Sequence, residues 1–162
     1  HEYLSKKYNV SVDEGKVKTF QYMYGGIPKE VANQIEFLNM TKNLIYEMWD
    51  EFNRNKKINT HIYKRPLKDE NLENLNPQKL FNYYIQSHET ERNVKLLMKL
   101  HTYLLTKETK IVHYNYDSFL FDFSKKDGVE TIHGIKRILE QDGFATKTKV
   151  GHDYGSIVNY EF

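Results

Sequence analysis

The sequence predicts an α+β fold, with helices packed on one face of a small antiparallel sheet, and three features of its 162 residues carry that reading. Apolar residues recur at helical spacing through the first third of the chain and again after Pro77. From Val112 to Phe123, "VHYNYDSFLFDF" sets two apolar runs around a short polar step, the pattern of a strand-turn-strand. Near the end, "ATKTKVG" alternates as a strand does. Helices, hairpin, helix and strand in that order are what an α+β domain shows.

Taken in order, Lys16, Phe20 and Tyr24 are each four residues apart and share one helix face. Gly25-Gly26 ends that helix, and Pro28 suits the first turn of the next. Val31, Ile35, Leu38, Ile45, Met48 and Phe52 then mark the stripe of one helix reaching about Asn53. "INTHIYKRPL" reads as a short extended segment or hairpin with a basic tip, Lys64-Arg65, and "KDENLENLN" as a polar, mobile connection. Pro77 opens a long helix in which Val94, Leu97, His101 and Leu104 keep the period to about Thr106. Ile111–Tyr116 and Phe119–Phe123 are the paired strands, joined by an Asp117-Ser118 turn, and a helix follows over about Val129 to Gln141. Residues 1–76 and 77–162 form two regions of one continuous fragment.

Composition narrows the function classes. With 39% hydrophobic and 28% charged residues the chain is globular. Thirteen Tyr and nine Phe stand against one Trp; such rings are half-buried structural residues or platforms for bases and sugars. A net charge of +2 neither demands nor excludes nucleic acid. The absence of Cys excludes disulfides, thiolate zinc sites and cysteine nucleophiles. No apolar run approaches the roughly 18 residues of a spanning helix, so the expectation is no membrane partner and a cytoplasmic setting. The first residue is His1, not Met, and the sequence is expected to be part of a longer product.

Each candidate site has a plain alternative. Asp117 is either a good turn residue or a carboxylate mounted on a buried hairpin as a metal ligand. Lys16, Phe20 and Tyr24 are either a phosphate binder beside a stacking platform or an amphipathic helix with a solvated Lys and core aromatics. Asn82 and Gln86, four apart, can hydrogen-bond bases or sugars, or belong to a polar face with Glu89, Glu91 and Arg92 in surface ion pairs. His88, His101 and His113 read as structural or surface residues, and Asp122 reaches solvent on the side of Ser118 and Leu120.

Together these stretches resemble the family A DNA polymerases, phage-type members in particular. "KVKTFQYMYG" is similar to the Lys-x3-Phe-x3-Tyr-Gly of the family's fingers helix, with Lys16, Phe20, Tyr24 and Gly25 in place. The preceding Arg position falls on Val12, and Lys18 is a second candidate for the lysine. "NYYIQ" is similar to the palm-helix Asn-x3-Gln through Asn82 and Gln86. "NYDSF" is similar to the β-turn-β motif whose usual tip is His-Asp-Glu, here Tyr116-Asp117-Ser118. "VGHDYGSI" resembles a segment near the family's C-terminus.

The resemblance implies fingers and palm architecture and transfer of a nucleotide from dNTP to a primer 3′ end. It implies Asp117 as catalytic metal ligand, Lys16 on the triphosphate, and Phe20, Tyr24 and Gly25 around the nucleotide. Asn82, Gln86, Tyr116 and Ser118 are implied on the primer-template. Two Mg²⁺ ions would serve the complete enzyme, and an upstream portion would supply the second Asp, which the family carries just before a His matched here by His1-Glu2. The chain alone is expected to be inactive. Two other readings remain open: part of a single-subunit phage-type RNA polymerase, which "YDSF" also echoes, and a non-catalytic nucleic-acid-binding module. An unrelated α+β domain with a plain hairpin is the third.

Overall fold

A computed structural model describes residues 2–68, 70 and 74–160. His1 and part of the expected mobile connection, Asp69 and Asn71 to Glu73, lie outside those residues. Two compact units divide the chain, His1–Glu91 and Arg92–Phe162, and the division falls inside helix α5 (Pro77–Leu104) rather than at its start.

The first unit opens with α1 (Glu2–Tyr8) and α2 (Val12–Gly25). Ser11 caps α2: its hydroxyl accepts the Glu14 N–H at 3.2 Å, and the Glu14 carboxylate accepts the Ser11 N–H at 2.9 Å. Gly26 stops the helix at φ 100°, a conformation L side chains resist. One continuous helix was expected from Pro28 to Asn53. The chain instead forms α3 (Lys29–Gln34) and α4 (Glu36–Asn55), broken at Ile35, which is extended at φ −135° and ψ 101°. The break buries Ile35 with Leu4, Ile27, Ala32 and Leu38. Burial of an Ile side chain stabilises by about 2 kcal/mol, enough to offset the hydrogen bond lost at the break. A second cluster joins Ile45, Met48 and Phe52 of α4 to Ile58, Leu80 and Phe81. Ile58 lies on β1 (Lys57–Asn59), which pairs with β2 (Pro66–Lys68) around the expected basic tip.

In the second unit β3 (Lys110–Asn115) and β4 (Ser118–Asp122) form a hairpin, followed by α6 (Val129–Glu140) and the pair β5 (Thr148–Val150) and β6 (Val158–Tyr160). Leu100 and Leu104 pack on Ile135, Ile111, Phe119 and Phe121. α6 approaches α5 so closely at Gly134 that a Cβ there would overlap the Tyr103 phenol. Asp127 clasps the start of β3, accepting the Glu108 N–H and both the N–H and hydroxyl of Thr109.

The α+β class holds among the described residues, with six α-helices. The single sheet does not: the strands form three separate two-stranded antiparallel ribbons. Each ribbon pairs strands adjacent in sequence, where loop closure costs least, and most of the strands are three residues long. No described helix is long and apolar enough to cross a membrane.

Candidate nucleotide and nucleic-acid site

In the first unit, α2 presents Lys16, Phe20 and Tyr24 along one face. The Phe20 and Tyr24 rings stack with centroids 5.6 Å apart, and the Lys16 Nζ lies 5.9 Å from the Phe20 centroid. All three side chains are exposed, so the alternative in which these aromatics fill the core is excluded. Gly25 follows with open space where a Cβ would stand. Lys18 turns elsewhere, its Nζ 5.1 Å from the Tyr8 ring, and Val12 is exposed at the first turn.

A cleft of about 350 Å³ opens beside Gly25 and Gly26, with Lys42 and Tyr46 of α4 and Gln78 of α5 as its polar lining. Sequence reasoning passed over Lys42 and Tyr46, whose i, i+4 spacing beside the apolar stripe was the available signal. Asn82 is half-buried on α5 and Gln86, one turn later, is exposed.

Glu91, expected in a surface ion pair, is buried instead. It accepts the Thr60 hydroxyl and the Tyr63 N–H, with the Arg65 Nε 3.9 Å away. Burial pushes its carboxyl up, but the Thr60 hydroxyl, the Tyr63 N–H and the Arg65 charge outweigh it and hold the group below the usual carboxylate range. His88 is structural, as expected: its Nε2 accepts the His61 N–H at 2.8 Å, and its Nδ1 lies 3.0 Å from the Tyr84 carbonyl. This set ties the 60–65 loop to α5.

In the second unit the hairpin tip differs from expectation by one residue. Asn115 pairs with Ser118, so Tyr116-Asp117 is the turn and Ser118 begins β4. A bulge at Val112, passed over between Ile111 and His113, shifts the register. The Ser118 hydroxyl donates to the Asn115 carbonyl at 3.0 Å, which fixes the first strand pair. Tyr114 and Phe119 stack across the ribbon at 5.0 Å and brace the base of the turn. The tip is solvent-facing rather than buried: Tyr116 is 84% exposed, and Asp117 and Ser118 are exposed too. Asp117 thus stands in solvent on a rigid two-stranded mount. Asp122, at the far end of β4, is exposed as expected.

Behind the turn, Asn93 of α5 donates from Nδ2 to the Tyr116 carbonyl at 2.8 Å. Nothing in the local sequence announces this contact, because the partner is a backbone oxygen 23 residues away.

No family model matches the chain, and neither a curated protein nor a solved structure matches it.

Proposed function

We propose that the chain is the fingers and palm part of a DNA polymerase of the family A type, serving template-directed transfer of nucleotides from dNTP to a primer 3′ end. The observation that carries the reading is the exposed Lys16, Phe20 and Tyr24 face on a capped helix ending at glycine. A point cation one turn from two stacked rings suits a triphosphate beside a base, since ammonium pairs with phosphate oxygens and rings stack on bases of any identity.

In this reading Lys16 neutralises triphosphate charge, Phe20 and Tyr24 orient the base, and Gly25 leaves room for close backbone approach. Asn82 and Gln86 donate to the primer-template, and Tyr116 and Ser118 flank Asp117 where the primer end would lie. Positioning and charge neutralisation account for most catalysis of phosphoryl transfer.

Polymerases of this type use two magnesium ions to neutralise the reacting phosphates. The donors on this chain do not fit that pair. Asp117 offers one carboxylate, and among the described residues no three His, Asp or Glu side chains lie together where they could hold a cation. The proposal therefore includes an upstream portion of the polymerase supplying the second Asp, and a cytoplasmic setting. The chain alone is expected not to extend primers.

Fluorescence anisotropy with a labelled primer-template duplex tests the reading on the chain itself. Binding that weakens with salt and falls about tenfold in an Asn82→Ala, Gln86→Ala double variant is the expected result. Unchanged affinity in that variant would contradict the assignment of α5 to the primer-template.

A further inference from the structure

We propose that Asn93 is a positioning residue for Asp117, with Arg92 setting its direction. The inference rests on the polymerase reading only for what Asp117 does; the geometry is independent of it.

Tyr116 alone of the two turn residues has a positive φ, 48°. That conformation is unfavourable for a residue with a Cβ, and a two-residue turn needing it at its first position selects glycine there. Such a bend is uphill for an exposed tyrosine, and a contact from outside the hairpin can offset that cost. The Asn93 amide does so. Its Nδ2 lies 2.8 Å from the Tyr116 carbonyl in a part-buried bond, and Asn93 itself is buried, so the donor side is covered.

An amide can point either way, and here Arg92 decides. Arg92 Nη1 lies 3.4 Å from Asn93 Oδ1, which leaves Nδ2 facing the carbonyl. Arg92 is itself held on three sides. Its Nε lies 3.2 Å from Asp142 Oδ2, its Nη2 3.2 Å from the Leu139 carbonyl, and its guanidinium 4.5 Å from the Phe144 ring centroid. A continuous set of contacts thus runs from the end of α6 through Arg92 and Asn93 to the peptide that carries Asp117. The peptide that carries Asp117 is held by a buried amide from α5 in addition to the Ser118–Asn115 bond within the hairpin.

Solution NMR on the ¹⁵N-labelled chain tests this. The wild type should show the strong intraresidue HN–Hα NOE of positive φ at Tyr116, and Asn93 side-chain amide protons protected from exchange. An Asn93 amide in free exchange would overturn the proposal without any variant. Asn93→Leu, which keeps bulk and removes the donor, should lose the Tyr116 NOE and move the Asp117 and Ser118 amide signals. In a Tyr116→Gly background, where the bend needs no support, the same Asn93→Leu change should leave those two signals in place. Unmoved signals in the Tyr116 chain, or equal movement in both backgrounds, would show that Asn93 acts by packing alone and would overturn the proposal. Adding primer-template duplex to the wild type reports separately on the polymerase reading. Shifts centred on Tyr116 to Ser118 support it, and their absence contradicts it while the NOE still decides the role of Asn93.

Discussion

Phe20 and Tyr24 stack one turn apart on α2, yet they remain 41% and 48% exposed. Rings that filled a core would be covered, and their loss would unfold the unit. Phe20→Ala is instead expected to change stability by less than about 1 kcal/mol. Under the polymerase proposal it should also weaken dNTP binding about tenfold, the worth of one base-stacking contact. Competition of dNTP against a fluorescent nucleotide reads the second effect and urea unfolding the first. A large stability loss with unchanged nucleotide affinity would return these rings to a structural role.

Glu91→Ala should have the opposite profile. It strips the partner from the Thr60 hydroxyl and the Tyr63 N–H in a buried place and is expected to cost about 2–3 kcal/mol. Urea unfolding of the chain measures this, and an unchanged midpoint contradicts it.

Acid should destabilise the chain through four carboxyls held below their usual range. Glu14 is lowered chiefly by the Ser11 N–H, Asp127 by the Thr109 hydroxyl and Glu140 by the Thr146 N–H. For Glu91, burial acts upward but is outweighed by the Thr60 hydroxyl and the groups around it. In each case the folded state binds protons less readily than the unfolded state, so its contribution is complete above the unfolded values near pH 4. It is lost as pH falls from there through the depressed folded values. Urea midpoints should therefore fall steadily between pH 5 and pH 3, and Thr109→Val should flatten part of that fall. A midpoint that rises on acidification contradicts the assignment.

Gly134→Ala should destabilise by about 2 kcal/mol, because the new methyl overlaps the Tyr103 phenol and the ring must leave its place. Adding Tyr103→Leu should recover part of that loss. Thermal unfolding of the single and double variants distinguishes this from a propensity effect, which would make the alanine stabilising.

Elements governed by local pattern were legible in the sequence. α2 was read from three side chains at helical spacing and from the glycines after it, and the hairpin over 111–123 from two apolar runs around a polar step. What could not be read depends on distant partners. Ile35 satisfies both a helical stripe and an extended linker, and only its burial against Leu4 and Ile27 selects the second. The turn sits one residue earlier than read because Ser118 pairs with Asn115, a choice with no local marker. Glu91 has the surroundings of a surface residue in sequence and acquires its buried partners from a loop 31 residues away. Lys16, Phe20 and Tyr24 were placed together correctly because one helix holds all three. Asn93 was missed because its partner is a peptide carbonyl, which sequence does not distinguish from any other.

Primer extension tests the central claim most directly. The chain should be joined to a polymerase segment that carries the second Asp and assayed with dNTP, magnesium and a primer-template, beside an Asp117→Asn variant. The account predicts extension by the joined protein, none by the chain alone, and loss of activity in the variant by at least about a thousandfold. Extension indifferent to Asp117, or equally robust from the 162 residues alone, would contradict it.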